Sequence, residues 1–160
     1  MMTTATDLHL LPYRPCVGVM LLNKDNKVFV GKRIDTMQEA WQMPQGGIDD
    51  GEEAQATAMR ELKEEIGTNN VEIISQTDDW LYYDLPEHLL GKAWKGRYRG
   101  QKQIWFLMRF LGEDAEVNLE TEHPEFNKWI WMDVNELSKH IVPFKKDLYE
   151  AVIDGFRGQI

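Results

Sequence analysis

The chain has 160 residues, 42% of them hydrophobic, and a formal net charge of −9 at pH 7. One domain with a substantial core is the expectation at this length, and the composition is that of a soluble globular protein. The acid excess argues against a large nonspecific nucleic-acid surface and against DNA as a partner, and the longest apolar run, Cys16 to Leu22, is far short of a bilayer span.

The lone cysteine, Cys16, excludes an intramolecular disulfide and fits a reducing compartment, the cytoplasm. It sits in an apolar run and reads as a buried, inert thiol. The N-terminus has no basic stretch leading into an apolar one, so no secretory signal is read there. Residues 1–10 lack periodicity and read as a mobile tail ahead of a single domain at 11–160. Cys16 to Leu22 and Val28 to Arg33 are predicted strands joined by the turn Asn23 to Lys27. Ile34 to Ala40 is a loop, and Trp41 to Pro44 leads into a glycine-rich turn.

The segment from Gly46 to Gly67, GGIDDGEEAQATAMRELKEEIG, predicts a turn followed by a helix. Gly67 suits a left-handed C-terminal stop, and Glu52 and Glu53 are expected in the first helical turn, where negative charge complements the macrodipole. At helical spacing Glu61, Glu64 and Glu65 share one narrow stripe, beside an apolar stripe of Ala58, Met59, Leu62 and Ile66. Taken alone, three glutamates on a stripe fit a solvated acidic face as well as a metal site. A hard divalent cation, which takes carboxylate oxygens, makes the cluster favourable.

After the helix, Val71 to Ile74 and Asp79 to Tyr83 read as extended, and Pro86 to Gly91 as a short helical turn. His88 to Gly112 holds no acid but carries Lys92, Lys95, Arg97, Arg99, Lys102 and Arg109, so charge distribution, not the sum, decides access for phosphates. Lys102 to Leu111 is a near-continuous apolar run suited to a central strand buried on both faces. Glu113 to Glu125 is an acidic loop, and Lys128 to Met132 a strand. Asp133 caps a helix over Val134 to His140, and Phe144 to Phe156 is a terminal helix. Trp41, Trp105, Trp129 and Trp131 read as core. The four histidines lack ligand spacing, which argues against a histidine zinc site. The predicted class is α/β, a mixed sheet sandwiched between helices.

Gly46, Glu52, Arg60, Glu61, Glu64, Glu65 and Gly67 resemble the Nudix box at every fixed identity. With each residue type at an ordinary frequency of roughly 5–10%, chance agreement is negligible. Thr68 departs from the box, standing where a bulky aliphatic is preferred. The resemblance implies the Nudix α/β/α fold. It also implies metal-dependent cleavage of phosphoanhydrides, with Mg²⁺ as cofactor and Mn²⁺ or Zn²⁺ as substitutes. Glu61, Glu64 and Glu65 become metal ligands, while Glu52 and Arg60 brace the loop–helix unit.

Further similarity carries from Tyr13 to about Phe156: Tyr13-Arg14-Pro15, Gly100-Gln101-Lys102-Gln103, Pro124-Glu125-Phe126 and Phe144-Lys145. It is to the branch of RNA pyrophosphohydrolases and asymmetric dinucleoside polyphosphate hydrolases. There Glu125 is implied as a further metal ligand or the base that activates water. Arg14, Arg33, Gln101 and Lys145 are implied as substrate contacts, and Phe144 as a base-stacking platform. The leading expectation is removal of pyrophosphate from 5′-triphosphorylated RNA, leaving a monophosphate and promoting mRNA decay. The alternatives are asymmetric hydrolysis of dinucleoside polyphosphates such as diadenosine tetraphosphate, and a non-catalytic nucleotide-binding domain. A monomer is expected, and a protein activator is not readable.

Overall fold

The computed structural model describes residues 8–34 and 40–160. In chain order the elements are β1 (Tyr13–Leu22), β2 (Val28–Arg33), β3 (Trp41–Gln42), β4 (Gln45–Gly47), α1 (Ala54–Ile66), β5 (Val71–Gln76), β6 (Leu81–Asp84), β7 (Gly100–Phe110), β8 (Phe126–Met132), α2 (Leu137–His140) and α3 (Lys146–Phe156). Short 3₁₀ turns at Asp114–Glu116, Val134–Glu136 and Pro143–Lys145, and a tight turn with left-handed backbone at Ala93–Gly96, join them.

The strands form one mixed sheet built on the parallel pair β1 and β7, in register from Tyr13 opposite Gly100 to Leu22 opposite Arg109. The long apolar runs of these strands explain that central place, because consecutive side chains point to opposite faces and both faces are covered. On one face Met20, Leu22, Trp105 and Leu107 pack with Leu137, Tyr149, Val152 and Phe156. On the other, Val17, Val19, Leu21, Phe106 and Met108 pack with Ala58, Leu62 and Ile66 of α1. Each such aliphatic or aromatic side chain contributes about 1.5–3 kcal/mol on burial. The sheet lies between helices as expected.

Two features aim the chain toward one end of the sheet. The β1–β2 hairpin pairs at Leu22 and Val28, closed by Asn23, whose side chain accepts from the Asp25 and Lys27 amides at 2.9 and 3.0 Å. Farther down β1 its free edge takes up β4 instead, with Cys16 opposite Gly47, Val17 opposite Gly46 and Gly18 opposite Gln45. The Met43 amide donates to the Tyr149 hydroxyl at 2.8 Å, fixing the entry to β4 against α3.

The structure revises several local expectations. Gly46 and Gly47 lie in a short strand rather than a free turn, because β1 has an unfilled edge there. Helix α1 begins at Ala54 with Glu53 as its extended N-cap, so Glu52 and Glu53 precede the first turn and no acid lies within it. Glu52 is drawn away by Arg60. β1 and β7 begin earlier than expected, at Tyr13 and Gly100, since each is the other's parallel partner and extends the ladder beyond the apolar run; β8 begins at Phe126, which pairs antiparallel with Arg33 at the end of β2. Asp133 does cap, accepting from the Asn135 amide at 2.9 Å, but the turn it starts is 3₁₀ before α2. Residues 1–7 of the expected tail and 35–39 of the expected loop lie outside the described residues. Leu8 to Leu10 are placed, with His9 2.9 Å from Glu87. No helix among the described residues is long and apolar enough to cross a membrane.

Candidate active site

The site forms where β4 hands over to α1. Arg60, on the first half of the helix, reaches back over the loop: its Nε donates to Glu52 at 2.7 Å and its terminal nitrogens to Glu52, Glu61 and Glu64 at 3.0, 3.0 and 3.1 Å. Glu52 also accepts from the Asp49 amide at 3.0 Å. The Arg60 hydrogen bond holds the Glu52 carboxyl down at about 2. The helix ends at Gly67, whose φ of 80° is the left-handed conformation and whose amide donates to the Lys63 carbonyl.

The stripe predicted on α1 divides in two. Glu61 and Glu65 turn inward and meet Glu125, which precedes β8; one oxygen from each of the three lies within 4.8 Å of the others. Glu64 stands apart, its side chain 51% exposed and bonded to Arg60. Glu65 is 1% exposed, and neither of its carboxylate oxygens has a hydrogen-bond partner among the described residues. Burial, then the adjacent Glu125 and Glu61 carboxylates, raise its pKa well above the usual range, with Arg33 opposing. Burial pushes Glu61 up to about 7, against Arg60 and with help from Glu64 and Glu125.

Orphaned buried carboxylate oxygens are costly, and three converging carboxyls of hard oxygen donors suit a divalent cation. Glu61, Glu65 and Glu125 can therefore hold one. Gly46 makes room for this: a β-carbon there would overlap the Glu61 carboxylate. The pH dependence has a definite sign. Because the folded-state pKa of Glu61 is raised, from 4.5 to about 7, its contribution to stability is fully present below 4.5 and lost as pH rises through about 7. The metal-free protein is expected to lose on the order of 3 kcal/mol across that window. Divalent cation should restore it, and melting curves with and without chelator at pH 5 and pH 8 check this.

Beside the carboxylates is a polar cavity of about 230 Å³, which Arg14, Arg33, Gln101 and Lys145 line together with Glu61 and Glu125. Arg14 on β1 lies over Gly47, and Gln101 is its partner across the β1–β7 ladder. Gln101 is positioned from within the core: Trp105 Nε1 donates to Gln103 at 2.7 Å, and Gln103 donates to Gln101 at 2.7 Å and to Gln45 at 3.3 Å. Arg33 and Lys145 also border a larger, mainly apolar groove of about 750 Å³, with Phe144, Val142, Pro86 and Leu89 in its walls. The Lys145 ammonium stands 5.4 Å from the Tyr83 ring centre, and Phe144 packs on the same ring at 5.8 Å.

Of the residues singled out in the sequence, Arg14, Arg33, Gln101, Lys145, Glu61 and Glu125 line this cavity and Glu65 meets the two glutamates, while Phe144 lies in the adjoining groove; Glu64 stays at the edge, and Gly67 ends the helix against Asn118. Tyr83, the end of a segment read as extended, and Trp94 line the polar cavity too. No local pattern in the sequence points to a site role for Tyr83, while Trp94 lies among Lys92, Lys95 and Arg97. Cys16 is buried and its thiol is pushed up to about 11 by burial, hence protonated. The acidic cluster described here contains no histidine.

Comparison with known proteins agrees with this geometry. The NUDIX domain model matches residues 12–152. An RNA pyrophosphohydrolase of Sphingopyxis alaskensis is 57% identical over 148 residues, covering 91% of this chain and 94% of the relative. One of Roseobacter denitrificans is 55% identical over 159 residues, covering 98% and 99%. The solved dihydroneopterin triphosphate pyrophosphohydrolase of E. coli shares the fold, with a TM-score of 0.65 at 20% identity over 88% of this chain and 96% of that one. The chain is an enzyme of the Nudix family, in the branch of the RNA pyrophosphohydrolases.

Proposed function

We propose that the protein is a 5′-pyrophosphohydrolase of triphosphorylated RNA that works with magnesium. One observation carries this most: Glu61 and Glu125, which converge with the buried Glu65, line one cavity with Arg14, Arg33 and Lys145. Such a pairing suits a polyanion bridged through a cation, whereas carboxylates alone would repel it. The groove beside it, with Phe144, suits a nucleobase. Relatives sharing more than half their residues with this chain bear the name RNA pyrophosphohydrolase, which favours RNA over other polyphosphates.

In this reading Glu61, Glu65 and Glu125 hold Mg²⁺, with Glu64 at the border of the cluster; manganese, also a hard cation, is the nearest substitute. The bound ion supplies charge neutralisation and an acidified water. The chain's own groups do the rest. Arg14, Arg33 and Lys145 offset charge on the phosphate oxygens, Gln101 orients them from its buried amide chain, and Phe144 holds a base. Water adds to phosphorus, the anhydride bond breaks, and pyrophosphate leaves from 5′-monophosphate RNA. Catalysis of this kind rests on positioning and electrostatics. In this reading the Glu125 carboxylate takes the water's proton. The single domain spans 11–160, acts in the cytoplasm and is monomeric.

Turnover of a 5′-triphosphate RNA and of diadenosine tetraphosphate at equal concentration tests the substrate assignment. RNA is expected to be the better substrate, with pyrophosphate released. Absent RNA turnover beside brisk dinucleotide cleavage would reverse the assignment. Hydrolysis in ¹⁸O-labelled water identifies the phosphorus attacked.

A further inference from the structure

Trp94 is a large aromatic residue held at a conformational cost. It belongs to neither hydrophobic core. Its backbone lies in the left-handed region, φ 52° and ψ 40°, followed by Lys95 at φ 60° and Gly96 at φ 71°. An L-residue there costs roughly 1–2 kcal/mol, and a bulky one is a true outlier. The turn is held shut: the Arg97 amide donates to the Trp94 carbonyl at 3.3 Å, and a β-carbon at Gly96 would run into the Gly91 carbonyl. Strain of this kind persists where surrounding structure enforces it, and it collects at ligand sites.

Its place is specific. Trp94 lines the polar cavity with Glu61, Gln101 and Lys145, while Ala93, one residue earlier, lines the apolar groove. The turn therefore borders both the polar cavity and the groove that holds Phe144. The indole is half-buried and meets Tyr98 edge-on at 6.4 Å. Lys92, Lys95 and Arg97 on the same turn are exposed. An aromatic face beside a phosphate cavity, on a cationic turn, suits a nucleobase of any identity.

We propose that Trp94 is a second stacking platform, which holds the base of the nucleotide bearing the 5′-phosphate chain while the Phe144 groove receives another base. This rests on the RNA reading above. It makes Trp94 a specificity residue that favours chains with two ordered bases next to the polyphosphate.

The test uses Trp94→Gly and Trp94→Asn, which accept the left-handed backbone but remove the indole, and Trp94→Phe, which keeps a ring. Substrates are 5′-triphosphorylated RNAs with a natural or an abasic first nucleotide. On natural RNA, Trp94→Gly and Trp94→Asn are expected to lose about tenfold or more in kcat/KM, chiefly through KM, with Trp94→Phe retaining most activity. On abasic RNA the variants should match wild type. Equal losses on both RNAs, or no loss on natural RNA, would overturn the stacking role while wild-type turnover leaves the RNA reading intact. No wild-type RNA turnover at all would overturn both.

Discussion

Glu65→Gln is expected to lower kcat/KM about a thousandfold or more and yet to stabilise the magnesium-free protein at pH 8. The side chain is 1% exposed, has no hydrogen-bond partner for either oxygen among the described residues, and adjoins the Glu61 and Glu125 carboxylates. Burial and those neighbours raise its pKa, so the folded state resists its ionisation. Its stabilising contribution is full below the ordinary carboxyl range and lost as pH rises through the raised value. Glutamine has nearly the same shape and never ionises, so it removes that loss. It also removes a charge from the cation site, so added magnesium should stabilise the variant far less than wild type. Parallel melting curves and steady-state rates check both halves. A variant with wild-type turnover would remove Glu65 from the site.

The second large effect needs no change to any carboxylate. Gly46→Ala places a β-carbon where the Glu61 carboxylate lies. β4 is fixed to β1 by its ladder, so Glu61 must give way. Overpacking of this kind costs about 1–3 kcal/mol, and displacing a catalytic group by about 1 Å can cost 10²-fold in rate. A loss of about a hundredfold in kcat/KM is expected, with weaker cation binding. Gly155→Ala is the control, because its β-carbon meets nothing within 4 Å and it lies inside α3. That change should gain roughly 0.5–1 kcal/mol and leave rates alone. Equal activity of Gly46→Ala and wild type would mean that Glu61 is not needed where it lies.

How much of this was legible in the sequence depended on locality. The α1 stripe, its stop at Gly67 and the buried runs of β1 and β7 were readable because helix and strand periodicities are local. The same logic missed the division of that stripe. Glu64 is held by Arg60 at the exposed side, whereas Glu61, also bonded to Arg60, and the buried Glu65 turn toward Glu125, some 60 residues on. Only the tertiary fold brings Glu125 there. Likewise β4 looked like a glycine turn, since nothing local shows that β1 leaves an open edge. Arg14, Arg33, Gln101 and Lys145 entered through family resemblance; their convergence on one cavity is a product of the β1–β7 ladder and the turn before α3. Trp94 escaped because left-handed backbone at tryptophan has no sequence signature.

The account stands or falls on where a cation binds. Crystals grown with manganese and a non-hydrolysable 5′-triphosphate analogue can be measured at the manganese absorption edge. The expected result is an anomalous peak within coordinating distance of Glu61, Glu65 and Glu125, with phosphate oxygens reaching it from the Arg14, Arg33 and Lys145 side. An analogue bound in the cavity with no metal among those carboxylates would contradict it.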